Sequence, residues 1–164
     1  MTMAAEPAPI VDQSFDAVQV AGGLLMLAMI DLDHFKSVND PRSHVVGDKV
    51  HKQIAWLVRP ALRDADLLAR FGGEEFTALL VNAQPPEARA VAERLRVVVQ
   101  THDGQAIAAG LQVTVSVGLS EVASGQDMQD ALSDADRHLY RAKQGGRNRI
   151  ECSGSESARA KDSP

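Results

Sequence analysis

The chain has 164 residues, 45% of them apolar, which is enough to bury one hydrophobic core and leaves little for a second. Its net charge is −5, from 22 acidic and 17 basic side chains, which argues against binding nucleic acid through a broad basic surface. The longest apolar stretch, Leu24–Ile30, is far shorter than the roughly 20 residues that span a bilayer, so we expect no membrane anchor.

The start of the chain lacks the basic and apolar segments of a secretory signal. The single cysteine, Cys152, cannot form an internal disulfide, which fits a reducing compartment. We therefore expect a soluble cytoplasmic protein. Residues 1–23 mix Pro, Ala and Gly with weak periodicity, which predicts a linker or a frayed lead-in.

The apolar run Leu24–Ile30 predicts a buried central strand. Asp31 and Asp33 follow it, and their side chains would point to the same side if the extended conformation lasts that far. Either residue alone also suits the N-cap of a helix. The segment His34–Asp40 predicts one short helical turn.

A longer helix is predicted next, because apolar residues recur at spacings of three and four. Pro60 is expected to shorten this helix. The apolar positions are Val46, Val50, Ile54, Leu57, Val58 and Leu62.

The segment Leu67–Val81 predicts a β-hairpin with strands Leu67–Phe71 and Phe76–Val81. Gly72-Gly73 stands where a tight turn needs backbone angles that side chains disfavour, and Glu74 and Glu75 project from that turn. A solvated acidic hairpin is the simplest interpretation of this segment alone. Beside carboxylates at the end of a buried strand, however, it completes the hard-oxygen ligand set that Mg²⁺ or Mn²⁺ prefers.

The second half of the chain predicts a helix, a strand and another helix. Pro85-Pro86-Glu87 is a typical helix start, and Leu111–Leu119 alternates apolar with polar or small residues, as a half-buried strand does. Asp127–Lys143 has helical periodicity and stops at Gly145-Gly146. Ile150 then begins a last edge strand.

This order of elements predicts an α+β fold, a mixed and mostly antiparallel central sheet covered by helices. The two acidic segments resemble the metal-binding strand and the signature hairpin of the GGDEF family, the diguanylate cyclases, with Glu74 in place of the name-giving Asp. The resemblance continues in the same order through Asn39, Gly47-Asp48, Arg63-Asp64-Ala65-Asp66, Val115-Ser116-Val117-Gly118 and Tyr140–Asn148. It implies a palm-like GGDEF domain over residues 24–151. The polar composition of residues 152–164 predicts a disordered tail.

The resemblance implies an enzyme that condenses two GTP molecules into cyclic di-GMP and two pyrophosphates. It implies two Mg²⁺ or Mn²⁺ ions per active site, one activating the attacking 3′-hydroxyl and one stabilising charge on the triphosphate. Asp31, Glu74 and Glu75 are the implied catalytic residues and metal ligands, together with the Leu32 carbonyl. Whether Glu75 is a further ligand or a base stays open.

The resemblance also assigns the substrate contacts. Asn39 and Asp48 match guanine-binding positions, and an amide with a carboxylate can bond the guanine edge. Without the resemblance, Asn39 is equally a turn or cap residue and Asp48 an acid in the first turn of a helix. Residues in the phosphate-binding positions are Phe35 and Lys36, through backbone amides, and Lys143 and Arg147, through side chains. Lys143 alternatively caps the end of a helix.

Arg63 and Asp66 reproduce the R-x-x-D product-inhibition site of the family, and Arg94 matches a further contact from another helix. The alternative for Arg63 and Asp66 is a surface ion pair. Two departures from the family pattern stand out: Ser43 replaces the usual Gly before His44, and residues 1–23 lack the usual Leu-Thr-Gly-Leu-x-Asn-Arg-Arg stretch.

One domain binds one GTP, so the reaction requires a transient homodimer, brought together by an upstream sensor or dimerisation domain that is absent from this sequence. Two alternatives remain. The main one is a non-catalytic receptor that binds GTP or cyclic di-GMP and signals through protein contacts. The other is a palm-like polymerase fragment. This chain lacks the basic surface that such a fragment needs to bind nucleic acid.

Overall fold

The computed structural model describes residues 22–35, 44–71, 74–104 and 109–153. The predicted elements that fall wholly or partly outside these ranges are the lead-in, most of the turn predicted over His34–Asp40, the Gly72-Gly73 turn and the polar tail. Within them the strands are β1 (Leu25–Leu32), β2 (Leu67–Arg70), β3 (Glu75–Val81), β4 (Val115–Glu121) and β5 (Ile150–Cys152). The helices are α1 (His44–Val58), α2 (Pro85–Thr101) and α3 (Met128–Gln144), with a 3₁₀ turn at Arg59–Ala61.

The five strands form one sheet in the order β2-β3-β1-β4-β5. The first three pairings are antiparallel and the last, between β4 and β5, is parallel. The predicted mixed and mostly antiparallel sheet is therefore confirmed. β1 occupies the centre, and all eight of its residues are buried, as its continuous apolar run predicted.

Helices cover both faces of the sheet, because alternate residues of β1 enter two different apolar clusters. Met26, Ala28 and Ile30 join the cluster that contains the buried side of α1 and α2. Leu25, Leu27 and Met29 join the cluster of α3, whose buried residues include Ala131, Ala135 and Leu139. By the same alternation, Asp31 lies on the α3 face.

The helix boundaries follow local sequence signals. α1 ends at Val58, and Pro60 lies in the 3₁₀ turn after it, as predicted from the missing N–H of proline. The Gln84 amide donates to the Glu87 carboxylate at 2.8 Å where α2 begins, and the Asp127 side chain accepts from the Asp130 amide at 2.8 Å where α3 begins. No helix among the described residues combines the length and hydropathy needed to span a bilayer.

The prediction of a half-buried strand over Leu111–Leu119 was wrong in two respects. β4 begins later, at Val115, and residues 115–120 are all buried. The alternating small residues Ser116, Gly118 and Ser120 suggested a solvent-facing side, but α3 packs on that side. Their small size instead admits the helix close to the sheet. β5 extends to Cys152, one residue past the predicted domain end.

Gly118 is the closest point between the sheet and α3. A Cβ atom there would lie 2.1 Å from the Ala135 carbonyl oxygen and 2.3 Å from the Leu139 amide nitrogen. Both are backbone atoms of α3, so the helix would have to move away as a body. The absence of a side chain at this position therefore sets the distance between β4 and α3.

We expect Gly118→Ala to lower the free energy of unfolding by about 3 kcal/mol, because the added methyl group collides with the helix backbone. Urea unfolding followed by circular dichroism measures this loss. Gly125→Ala is the control: it has open space around it but a φ of +77°, so its cost should be about 1 kcal/mol, from backbone strain alone. Equal losses in the two variants would contradict the steric argument.

Candidate functional site

The two acidic segments of the sequence meet at one end of the sheet. Asp31 pairs directly with Glu75 in the antiparallel register of β1 and β3, and the Leu32 amide donates to the Glu74 carbonyl at 3.2 Å. Directly paired residues place their side chains on the same face, so Asp31 and Glu75 share the face that α3 covers. We had expected Glu75 to project from the turn, but it is the first residue of β3.

Asp31 is a buried carboxylate with only one of its oxygens paired. Its exposure is 1%, and its Oδ2 accepts a hydrogen bond from the Lys143 ammonium at the end of α3. Its Oδ1 is buried without a hydrogen-bond partner among the described residues. Such an oxygen is costly to bury unless a donor or a cation completes it.

The electrostatics of this acidic pair show that positive charge is in short supply. Burial raises the pKa of Asp31 to about 6; Lys143 opposes the rise, and the charges of Glu74 and Glu75 add to it. Burial also raises the pKa of Glu75, with Lys143 again opposing and Asp136 and Glu74 adding to the rise. Lys143 thus stabilises both ionised carboxylates but does not fully offset their burial.

The residues fit a divalent metal, although they do not form a finished cage. The described part of the chain has no cluster of three or more Asp, Glu, His or Cys side chains close enough to hold an ion. A hard cation beside Asp31 would nevertheless satisfy its unpaired Oδ1 and reduce the repulsion that Asp31 experiences from Glu74 and Glu75. We therefore keep Asp31, Glu74, Glu75 and the Leu32 carbonyl as the predicted ligand set.

Asp33, two residues after Asp31, has a different set of contacts. Its exposure is 5%, and its Oδ1 accepts from the Ser116 hydroxyl at 2.6 Å. Its Oδ2 accepts from the Thr114 hydroxyl at 2.6 Å and from the Asn148 amide at 3.0 Å. Sequence reasoning missed these partners, and the only signal for them was the two hydroxyl residues spaced two apart where β4 begins.

The predicted phosphate residues Lys143 and Arg147 lie on either side of a sharp chain reversal after α3. The side chain of Lys143 is 30% exposed and bonds Asp31, so it does not act merely as a helix cap. Arg147 is exposed, and its amide donates to the Ala142 carbonyl at 3.0 Å. The backbone φ values of Arg147 and Asn148 are 67° and 46°, which non-glycine residues rarely adopt.

The remaining predicted substrate contacts are only partly described. Asp48 is exposed in α1, and Phe35 is half-buried. Lys36 and Asn39 lie outside the described residues, as does Ser43. Sequence reasoning also missed His51, which is 4% exposed and packs with ring centroids 4.6 Å from Phe35 and 5.8 Å from Phe76. The buried His51 ring therefore packs edge-on against the Phe35 ring.

Arg63 and Asp66 form a structural clamp that is more extensive than a surface ion pair. Asp66 has a fully buried side chain, and its oxygens accept from the Arg63 amide at 2.9 Å, the Arg63 guanidinium at 3.1 and 3.2 Å, and the Val81 amide at 3.0 Å. Arg63 Nη2 also donates to the Val81 carbonyl at 2.6 Å. The clamp therefore joins the segment before β2 to the end of β3.

The Arg63 side chain is also 50% exposed, so part of it faces solvent. The Asp66 carboxylate raises the pKa of the Arg63 guanidinium, so this charge is permanent. Arg94 of α2 donates to the Ala61 carbonyl at 3.1 Å, which brings it to the same segment. All three residues of the predicted inhibitory site thus contact the stretch from Ala61 to Asp66.

We expect Asp66→Ala to lower the free energy of unfolding by about 3 kcal/mol, because two amides and a guanidinium lose their buried acceptor. Arg63→Ala should cost less, about 1 kcal/mol, since half of that side chain is solvated. Chemical denaturation of the purified variants measures both. Asp64→Ala, an exposed acid in the same segment, should stay within about 0.5 kcal/mol of the unaltered chain. Equal stability of the Asp66 and Asp64 variants would refute the clamp.

Comparison with known proteins now adds to this geometry. The family described as "Diguanylate cyclase, GGDEF domain" matches residues 9–149. The chain belongs to the GGDEF family. The family and the α+β fold predicted from the sequence are both confirmed.

Individual relatives of this GGDEF domain agree with the family match. Diguanylate cyclase DgcP of Pseudomonas aeruginosa is 42% identical over 130 residues, which are 79% of this chain and 19% of that protein. The GGDEF domain of DgcB from Caulobacter crescentus, solved in complex with c-di-GMP, superposes with a TM-score of 0.81 at 30% identity, covering 89% of this chain and 87% of that one. The active GGEEF domain of a diguanylate cyclase from Vibrio cholerae has a TM-score of 0.76 at 30% identity, covering 86% and 90%.

The chain spans about a fifth of the P. aeruginosa relative, so it corresponds to one domain of that protein. The activity, substrates and partners of the whole protein are therefore proposals.

Proposed function

We propose that this GGDEF domain is a diguanylate cyclase that condenses two GTP molecules into cyclic di-GMP and two pyrophosphates. The observation that carries the proposal is the buried Asp31 carboxylate, with one oxygen unpaired, in register with Glu75 and bonded to Lys143. A purely structural acid would gain nothing from an oxygen left without a partner. A domain that binds metal and phosphate needs this combination of acids and a nearby cation.

The metal ions, two Mg²⁺ or Mn²⁺ per active site, would supply activation of the 3′-hydroxyl and charge stabilisation on the triphosphate. Asp31, Glu74 and Glu75 would hold them with the Leu32 carbonyl. Because Asp31 and Glu75 belong to paired central strands, the chain fixes their separation before any ligand arrives. Lys143 favours the ionised form of both Asp31 and Glu75, although burial still raises the pKa of each carboxyl group.

The remaining residues would bind and orient GTP. Asn39 and Asp48 offer an amide and a carboxylate to the guanine edge, which would exclude adenine. The amides of Phe35 and Lys36 would approach the terminal phosphates, and the packing of Phe35 on His51 supports that segment. Lys143 and Arg147 supply cationic groups, and the guanidinium can bond phosphate with two parallel hydrogen bonds.

Catalysis needs two such domains, because each holds one GTP and each 3′-hydroxyl attacks the other nucleotide. We propose a transient, two-fold symmetric homodimer with its two sites facing each other. An upstream sensor or dimerisation domain would raise the effective concentration of the pair.

Product inhibition would act through Arg63, Asp66 and Arg94. The exposed half of the Arg63 guanidinium can stack on guanine or bond its Hoogsteen edge. The carboxylate of Asp66 is already occupied by three donor groups, so its first task is to orient Arg63. Direct bonding of Asp66 to guanine would require a change in the Arg63 contact.

The main experiment measures cyclic di-GMP formation from GTP and Mg²⁺ over a range of protein concentrations. We expect the rate to rise with the square of concentration while the protein is mostly monomeric. Asp31→Asn should reduce turnover about 100-fold or more, because it weakens a metal ligand that stabilises the transition state. Asp130→Asn, an exposed acid of the first turn of α3, is the control and should keep full activity.

Absence of product at high concentration, even in an enforced dimer, would reject the enzyme. Binding of GTP or cyclic di-GMP under the same conditions would then identify the chain as the receptor considered above.

A separate experiment concerns feedback. Arg63→Ala should retain synthesis at low product but require about tenfold more added cyclic di-GMP for half-inhibition, because a cationic contact to the base is lost. Initial rates against added product measure this shift. Arg89→Ala removes an exposed arginine elsewhere on α2 and should leave inhibition unchanged. Unaltered inhibition in the Arg63 variant would place feedback at another site.

A further inference from the structure

We propose that Asp33 is a positioning residue that fixes the turn over residues 145–149, so that Arg147 reaches the triphosphate of bound GTP. The inference rests on the proposed function, since it assigns Arg147 to the phosphates. It adds a role for an acid that has no place among the predicted metal ligands.

The contacts of Asp33 reach three separate parts of the chain. Its carboxylate accepts from the hydroxyls of Thr114 and Ser116, each at 2.6 Å, and from the Asn148 amide at 3.0 Å. The two hydroxyl bonds come from the start of β4 and fix the orientation of the carboxylate. The third bond ties the turn, which lies 115 residues further along the chain, to the end of β1.

The turn needs such a tie because its backbone is strained. Gly146, Arg147 and Asn148 have consecutive φ values of 117°, 67° and 46°, and only the first of these residues is a glycine. Non-glycine residues keep left-handed conformations only when their surroundings impose them. A conformation of this kind, next to a predicted substrate contact, is typical of functional sites.

Arg147 and Asn148, the two non-glycine residues with positive φ in this turn, are held by different groups. The Arg147 amide donates to the Ala142 carbonyl at 3.0 Å, which is a bond to the end of α3. The Asn148 amide donates to Asp33, and the Asn148 side-chain oxygen accepts from Arg96 of α2 at 3.0 Å. Because the Asn148 amide, which donates to Asp33, directly follows Arg147, loss of this hydrogen bond would free the backbone that orients the Arg147 side chain.

Residues at the same end of β1 therefore contact both segments that carry the predicted phosphate-binding side chains, Lys143 and Arg147. Asp31 bonds the Lys143 side chain, and Asp33 bonds the backbone immediately after Arg147. Both oxygens of Asp33 are occupied by protein donors, whereas Asp31 keeps one oxygen unpaired. This difference assigns Asp31 to ligands and Asp33 to the protein itself.

The test compares affinities for two nucleotides in the presence of Mg²⁺. One is a GTP analogue with a methylene bridge between the α- and β-phosphorus atoms, which cannot release pyrophosphate, and the other is GMP. Asp33→Ala should weaken the analogue about tenfold, because a charge-assisted phosphate contact is lost, and should change GMP affinity less than about twofold. Amide hydrogen exchange at Asn148 should become faster in this variant.

Two variants separate positioning from general stability. Asp33→Asn should restore analogue affinity, because its amide oxygen can accept from Thr114 and Asn148 while its amide nitrogen donates to Ser116. Ser116→Ala removes a buried partner of Asp33 but leaves the Asn148 bond, so it should lower stability without changing the analogue-to-GMP ratio. An equal loss of that ratio in Ser116→Ala would overturn the proposal.

A double variant tests whether Asp33 acts through Arg147. If it does, Asp33→Ala combined with Arg147→Ala should bind the analogue no more weakly than Arg147→Ala alone. Additive losses would overturn the inference. If the unaltered chain shows no preference for the analogue over GMP, the proposed function and this inference both fail. If it shows that preference and Asp33→Ala retains it, the proposed function stands and only this inference fails.

Discussion

The antiparallel register between β1 and β3 is the constraint on which the candidate site depends. It places Asp31 directly opposite Glu75, and it does so between two strands whose other residues are almost entirely buried. A shift by one residue would turn Asp31 to the opposite face of the sheet, away from α3 and Lys143. The same shift would exchange the residues that β1 contributes to the two apolar clusters, so the packing of the core and the placement of the acids are coupled.

Local patterns in the sequence were sufficient to predict most of the fold. The continuous apolar run of β1, the prolines near the ends of α1 and the start of α2, and the glycines after α3 each act within a few residues, and each was interpreted correctly. β4 was misread because Ser116, Gly118 and Ser120 look solvent-facing in a single strand. Their burial depends on a helix whose position no local pattern reveals.

The candidate site was predicted to a smaller extent, and for the same reason. The residue types at Asp31 and the hairpin pointed to metal chemistry, and the family resemblance supplied the other roles. The backbone partners of Asp33 and Asp66 could not be foreseen, since Asn148 and Val81 lie 115 and 15 residues further along the chain and contribute only their amides to these carboxylates. Every residue has an amide, so composition gives no signal for such bonds.

The close contact at Gly118 has a consequence for anyone who wishes to transplant this site. Lys143 lies at one end of α3, and the place where the helix touches the sheet, at Ala135 and Leu139, is only one or two turns before it. A scaffold that received the Gly-Gly-Glu-Glu hairpin and the acidic strand end, but kept an ordinary separation between helix and sheet, would hold its lysine too far from the acids. The set of residues that must be transferred together is therefore larger than the signature motif and includes the glycine of a neighbouring strand, Gly118 in β4.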